Sequence, residues 1–168
     1  MGSLQLNFFS CLRANKLTMK ETIRQLEKIV ADYKPQLERI NAAAFAAKPL
    51  PNKWSKKEEL GHLIDSAQSN IRRFVVGQYE AQPYIVYDQD KWVEIGNYQN
   101  YNDKDLIDLW ALINKHICVV LKNTSEEAGK RLVKTQDLNS IEWLAKDYNK
   151  HLLHHLNHLL ELEPVAYR

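Results

Sequence analysis

The sequence contains few of the residues that cross-link or interrupt a chain. Its two cysteines, Cys11 and Cys118, lie in dissimilar contexts, so neither a disulfide framework nor a cysteine-based metal site is expected. A reducing, cytoplasmic environment fits this usage best. Only five glycines and five prolines occur in 168 residues, and 45% of the residues are hydrophobic. This composition excludes collagen-like and disordered chains and favours a helical, globular protein.

Long apolar runs and tracts of like charge are also missing. No stretch approaches the roughly 18 uninterrupted apolar residues of a transmembrane helix, so we expect no membrane insertion. The 23 basic and 21 acidic residues are mixed along the whole chain and give a net charge of +2. Balanced charge without a basic stripe argues against binding of nucleic acid or of an acidic membrane surface. A small-molecule partner remains the expectation.

The length suits one domain, preceded by a short extension. A chain of 168 residues can bury a core without metal or disulfides, so a metal here would serve function more than folding. Near the start, Gln5 and Asn7 interrupt the apolar residues and no small-residue cleavage site follows, which argues against a signal peptide. A helical pattern opens at Met19. We therefore predict an N-terminal extension over residues 1–18 and a single domain over residues 19–168.

Apolar residues recur at spacings of three and four in the first half of the chain, as in amphipathic helices. Helix one is predicted from about Lys20 to Ala47, with a kink or break near Tyr33–Lys34 because Pro35 removes a hydrogen bond and clashes with the preceding turn. Helix two is predicted from Ser55, which forms a capping box with Glu58, to about Gln78.

Two further helices follow a long connection. Residues 79–101 show no period and are rich in aromatic side chains, which indicates packing and not disorder. Helix three is predicted to start at Asn102 or Asp103, and helix four at an Asn139 cap, with Glu142 in the reciprocal position, before ending at Pro164. The predicted fold is all-α, a four-helix bundle with a long crossover between helices two and three.

The main chemical signal is a group of four histidines within residues 151–158. On a helix, side chains four apart are neighbours, so His151 with His155, or His154 with His158, can converge on one metal ion. The helical wheel places His155 nearest the leucine stripe, His151 next and His154 farthest, which favours the first pair as the inward one. Surface imidazoles that bind nothing are the alternative, because this spacing is a weak pattern without a third ligand.

Periodicity does not choose the third ligand. His62 on helix two lies off the centre of its apolar stripe, and His116 on helix three flanks its own stripe. Either histidine is therefore a candidate, and each is also compatible with a surface or hydrogen-bonded role.

Three sets of residues together resemble a known family. They are Trp54-Ser55-x-x-Glu58-x-x-Gly61-His62-Leu63-x-Asp65-Ser66, Asn70-x-x-Arg73-Phe74 and Tyr148-x-x-His151-x-x-His154-His155-x-x-His158. The sequence from about 50 to 160 is similar to the DinB-like superfamily, and to its YfiT-like branch of metal-dependent hydrolases, which is related to bacterial thiol S-transferases that use bacillithiol. The branch often has a histidine where Ala67 stands here, so no proton-transfer role is expected at that position.

The resemblance implies a site and a chemistry. It implies that His62, His151 and His155 bind a divalent transition metal, nickel or zinc, within a bundle that is frequently a homodimer. Three neutral imidazoles leave a tetrahedral ion with an open position, which is typical of catalytic sites. We therefore predict a metal-dependent hydrolase, or a transferase with a low-molecular-weight thiol as co-substrate. A metal- or ligand-binding bundle without turnover and a helical interaction module are the alternatives.

Three further residues are candidates for contacts around this site. Asp65, Tyr87 and Asp88 are polar side chains within or beside the family motifs, and they could support the metal ligands or contact the substrate. The catalytic residues themselves are not specified by any motif.

Overall fold

The computed structural model describes residues 18–167, and its architecture is a four-helix bundle. The long helices are α1 (Met19–Leu37), α3 (Lys56–Val76), α5 (Asp103–Lys122) and α7 (Ile141–Leu159). Shorter elements lie between them: α2 (Ala42–Ala46), α4 (Gln89–Gly96), a 3₁₀ turn (Tyr98–Asn100), α6 (Glu126–Gly129) and a hairpin of β1 (Leu132–Lys134) and β2 (Leu138–Ser140). The predicted all-α class is confirmed.

The four long helices bury one continuous apolar core. Helices α5 and α7 each pack against both α1 and α3, so that the order around the bundle is α1, α5, α3, α7. The largest fully buried side chains come from all four helices and include Leu26, Leu60, Phe74, Trp110, Ile117 and Ile141. Burial of the apolar face of each helix stabilises such helices more than intrinsic helix propensity does. None of the helices within residues 18–167 is both long and apolar enough to cross a membrane.

Helix one of the sequence prediction is two helices in the structure. Helix α1 continues without a break through Tyr33–Lys34 and ends at Leu37, with Pro35 in its last turn. After a short turn, the side chain of Asn41 caps α2 by accepting a hydrogen bond from the backbone N–H of Ala44. The predicted break was therefore placed a few residues too early. Of the predicted extension, Thr18 caps α1, and residues 1–17 lie outside the described residues.

The predicted cap of helix four was wrong by one residue. Ser140, not Asn139, accepts the hydrogen bond from the backbone N–H of Trp143. The reason is the hairpin, which the sequence analysis did not anticipate. Asn139 pairs with Val133 in the middle of β2, so its backbone belongs to the strand and the helix begins after it.

The predicted long crossover between α3 and α5 is confirmed, and it is more structured than its sequence indicated. Asp88 caps α4 by accepting from the backbone N–H of Lys91. Two backbone hydrogen bonds join the crossover to strand β1, from Ile85 N to Lys134 O at 2.9 Å and from Lys134 N to Pro83 O at 3.0 Å. The next residues, Val86 and Tyr87, line a cavity together with side chains of α3 and α7.

Candidate metal centre

His62 lies in the first half of helix α3, where the helix is buried on most sides. The side chain of His62 is only 2% exposed, and its ring lies 5.1 Å from the ring of Trp54. At the preceding residue, Gly61, the ring of Tyr98 packs so closely that an added Cβ would lie 2.0 Å from its Cδ2 atom. The absence of a side chain at Gly61 therefore allows the crossover to cover the helix beside His62.

Helix α7 brings two more imidazoles to the same place. The Nε2 atoms of His62 and His151 lie 3.2 Å apart. The ring of His155 lies 4.9 Å from that of His62 and 4.6 Å from that of His151, between ring centres. One ring nitrogen from each of the three histidines falls within 4.8 Å of the others. The structure thus brings together the three residues that the family resemblance selected.

Two polar side chains from α3 orient the α7 histidines. Oε1 of Glu59 lies 2.8 Å from Nδ1 of His155, which leaves the Nε2 atom of His155 to face the cluster. Oγ of Ser66 lies 3.4 Å from Nδ1 of His151. Hydrogen bonds to the outer nitrogen of a histidine fix its tautomer and orientation in metal sites. Nδ1 of His62 is buried without a hydrogen-bond partner among the described residues.

Burial keeps two of the three imidazoles neutral. The pKa of His62 is lowered to about 4, first by burial and then by the positive charge that His155 can carry. The pKa of His151 is lowered to about 2 for the same reasons. Burial raises the pKa of Glu59, but hydrogen bonds from His155 and His158 outweigh it and lower the pKa, so Glu59 is a carboxylate near neutral pH. Neutral imidazole is the form that binds a metal.

The other candidate histidines do not join the cluster. His116 is exposed on α5. Nδ1 of His154 lies 3.0 Å from the backbone oxygen of Val165. Nδ1 of His158 lies 3.0 Å from both oxygens of Glu59, and its side chain is 76% exposed. Of the two pairs open from spacing, only His151 with His155 meets His62.

A cavity of about 410 Å³ opens beside His62 and His151. Its walls come from α3, from the crossover, from the hairpin and from α7, and they include Ser66, Arg73, Tyr87, Asp137, Trp143 and Tyr148. Near the end of the described chain, the ring of Tyr167 lies 5.4 Å from that of His151 and also lines the cavity. A volume of this size accommodates a small organic molecule.

The three further candidates take different places. The hydroxyl of Tyr98 donates a hydrogen bond of 2.5 Å to Asp65, whose pKa burial raises to about 6 against the lowering effect of that bond. Tyr87 lines the cavity and its pKa is raised, chiefly by burial. Asp88 caps α4. Sequence reasoning did not single out Glu59, although its spacing of three from His62 places it on a neighbouring position of the same helix face.

Comparison with known proteins identifies the family. Residues 25–159 match the sequence pattern of the DinB superfamily. The chain belongs to the DinB superfamily. No curated protein sequence matches it. The predicted family is therefore confirmed from most of the chain.

Two solved structures that share the fold of this DinB protein are described as different kinds of protein. YfiT from Bacillus subtilis, called a probable metal-dependent hydrolase with an unusual four-helix bundle topology, superposes with a TM-score of 0.77 at 21% identity over 85% of this chain and 84% of YfiT. A mycothiol-dependent maleylpyruvate isomerase superposes with a TM-score of 0.68 at 19% identity, over 89% of this chain and 62% of the isomerase. At these identities the similarity shows a shared fold.

Proposed function

We propose that this protein is a metal-dependent enzyme in which His62, His151 and His155 bind one divalent transition-metal ion, nickel or zinc. The observation that carries the proposal is the convergence of these three imidazoles from two helices at the wall of a cavity. A structural metal would be enclosed by its ligands, whereas a site with three protein ligands beside a cavity leaves access for a small molecule.

The donor set fits such an ion. Imidazole nitrogen suits zinc and nickel better than it suits magnesium or calcium. With metal–nitrogen bonds of about 2.0–2.1 Å and tetrahedral angles, two ligand nitrogens lie roughly 3.3 Å apart. The Nε2 atoms of His62 and His151 lie 3.2 Å apart, close to this spacing. The lowered pKa values of both histidines remove the cost of deprotonating them before an ion binds.

We further propose that the reaction is hydrolysis, or transfer of a low-molecular-weight thiol to an electrophile. A bound divalent ion would supply Lewis-acid chemistry, lowering the pKa of water or of a thiol. The structural relatives support both chemistries, since one is called a probable metal-dependent hydrolase and the other is called mycothiol-dependent.

The chain's own side chains would bind and orient the substrate. The phenol of Tyr87 is protonated near neutral pH, and burial raises its pKa further, so its hydroxyl can donate a hydrogen bond into the cavity. Glu59 and Ser66 hold the rings of His155 and His151 in place. The crossover and the hairpin supply the rest of the cavity wall.

A screen of substrates tests this proposal. Untagged protein loaded with nickel or zinc is assayed against esters and amides, and against electrophiles in the presence of cysteine, bacillithiol or mycothiol. We expect turnover by the wild type and by His116→Ala, whose imidazole is exposed, and loss of at least 100-fold in His155→Ala. Turnover that survives unchanged in His155→Ala contradicts the proposal. Metal-dependent stabilisation without turnover of any substrate would instead indicate a binding protein.

The assembly and location remain predictions from the sequence. We propose a homodimer in the cytoplasm, without a nucleic-acid partner. Light scattering of the untagged protein at micromolar concentration measures its mass directly, and a mass of one chain would contradict the homodimer.

A further inference from the structure

Arg73 lies in the same cavity as the proposed metal centre but takes no part in it. It follows His62 by eleven residues on α3, which is about three helical turns and places both side chains on one face. The two Cα atoms are therefore separated by about 16 Å along the helix axis. Side chains on a helix lean toward its N-terminus, so the guanidinium reaches back toward His62. Both residues line the cavity.

The guanidinium is largely buried and its contacts are neutral. Nε donates to the backbone oxygen of Ile85 at 3.2 Å, and Nη1 lies 3.4 Å from Oδ1 of Asn70. Within residues 18–167 no carboxylate forms an ion pair with Arg73, although Asp147 attracts it from farther away. Burial lowers the pKa of Arg73 because it disfavours the charged form of the guanidinium.

A purely structural role uses only part of this side chain. The bonds from Nε to Ile85 and from Nη1 to Asn70 use two of the five N–H groups of the guanidinium. A buried cation without a counter-ion is costly, and an arginine presents a planar pair of donors that matches a carboxylate. The cavity wall is therefore equipped to bind an anionic group at a distance from the three histidines.

We propose that Arg73 binds a carboxylate on the substrate or thiol co-substrate whose reacting atom lies at the His62–His151–His155 cluster. This inference rests on the proposed function and adds the substrate class to it: a small molecule with a carboxylate at the end opposite its reacting atom. A doubly charged phosphate fits less well, because Asp137 and Asp147 line the same cavity and would repel it more strongly than a singly charged group.

Matched linear thiols test the inference. Mercaptohexanoate and mercaptohexanol share a thiol and a six-carbon chain and differ only at the other end, where one has a carboxylate and the other a hydroxyl. Mercaptohexyl phosphate, with the same thiol and chain, supplies the dianionic comparison. Binding to protein loaded with cobalt is followed by the thiolate-to-cobalt absorption band and by tryptophan fluorescence, since Trp143 lines the cavity and Trp54 packs on His62. The variants are Arg73→Gln and Arg73→Lys, with Arg72→Gln as the control, because Arg72 is exposed on the same helix.

We expect the wild type and Arg72→Gln to bind mercaptohexanoate about 10- to 100-fold more tightly than mercaptohexanol, the range of a charge-assisted hydrogen-bonded pair. This preference should disappear in Arg73→Gln and be reduced in Arg73→Lys, which keeps the charge but loses the paired donors. Equal preference in the wild type and Arg73→Gln overturns the inference, as does a wild type that prefers the alcohol or the phosphate. The wild-type and Arg73→Lys measurements decide even if Arg73→Gln does not fold.

A metal-free arm separates this inference from the proposed function. Hexanoate and hexanol bind without a thiol, so their affinities for protein treated with chelator, followed by tryptophan fluorescence, report on Arg73 alone. If the protein holds no metal but still prefers hexanoate through Arg73, the proposed metal function fails and the carboxylate site stands. If the protein binds metal but binds the carboxylate and the alcohol of each pair equally tightly, the carboxylate site fails and the metal function stands.

Discussion

Glu59 and His155 lie 2.8 Å apart, between the carboxylate Oε1 and the imidazole Nδ1. Both carboxylate oxygens also lie 3.0 Å from Nδ1 of His158, so Glu59 contacts two imidazoles of α7 from its place on α3. With the proton of His155 on Nδ1, its Nε2 is directed to His62 and His151. The relationship couples the orientation of a proposed metal ligand to a charge on the neighbouring helix.

The first prediction concerns this carboxylate. Glu59→Gln keeps the size of the side chain but removes its charge, so we expect metal affinity to fall about 10- to 100-fold, the usual effect of changing a residue that supports a metal ligand. Competition with a chromophoric chelator measures the metal affinity of each variant. His158→Ala is the control, because it leaves the bond between Glu59 and His155 in place and should change affinity less than threefold or so. An equal loss in both variants would contradict the role given to Glu59.

A second prediction concerns Asp65 and pH. The pKa of this carboxyl is raised from 3.8 to about 6 in the folded chain, by burial against the opposing hydrogen bond from Tyr98. Between these values the folded state binds more protons than the unfolded state, so the free energy of unfolding falls as the pH rises. Asp65→Asn cannot ionise and still accepts the hydrogen bond. The free energy of unfolding of Asp65→Asn, minus that of the wild type, should therefore rise by about 1–3 kcal/mol between pH 4 and pH 7.

Urea denaturation of chelator-treated protein at several pH values measures this difference. Both proteins share every other titrating group, so the difference between them isolates Asp65. If this difference in unfolding free energy stays constant over the range, or falls as the pH rises, then folding does not raise the pKa of Asp65.

The third prediction concerns the contact between Gly61 and Tyr98. An added Cβ at Gly61 would lie 2.0 Å from Cδ2 and 2.2 Å from Cγ of the buried Tyr98 ring. Because these atoms are at the base of the ring, the clash moves the crossover. Gly61→Ala should reduce the free energy of unfolding by about 1–3 kcal/mol, despite the better helix propensity of alanine.

The matched control for that prediction is Gly129→Ala. Its added Cβ would lie 3.0 Å from Cγ of Glu142, a flexible side chain that can move away. Thermal unfolding should therefore distinguish the two variants clearly. If Gly61→Ala is as stable as wild type, the packing of Tyr98 over α3 is not as close as described.

Periodicity predicted the bundle and two of the three histidines of the candidate site. The helical wheel of α7 selected His151 and His155 over His154 because the leucine stripe there faces a core on one side only. The same reasoning did not choose between His62 and His116. In the structure His62 is 2% exposed, whereas His116 is exposed. Helix α3 is buried around most of its circumference near His62, so an average over the helix does not describe the environment of one residue.

The features that the sequence did not reveal are either very short or depend on contacts between distant segments. The hairpin strands are three residues each, too short for an alternating pattern to be recognised. Tyr98 lies in a segment without period, yet it packs on Gly61 and donates to Asp65. Glu59 reads as an ordinary helix-surface residue until α7 is placed beside it. The contact partners of Tyr98 and Glu59 are separated from them by tens of residues in the chain, and only the fold brings them together.

The most direct test of the proposed metal centre is elemental analysis of untagged protein after incubation with nickel or zinc and removal of free metal. We expect close to one equivalent of divalent metal in the wild type and in His116→Ala. Little or none should remain in His62→Ala, His151→Ala and His155→Ala, with circular dichroism confirming that each variant is folded. Wild-type protein without metal, or triad variants that retain a full equivalent, would contradict the assignment of His62, His151 and His155 as the metal ligands.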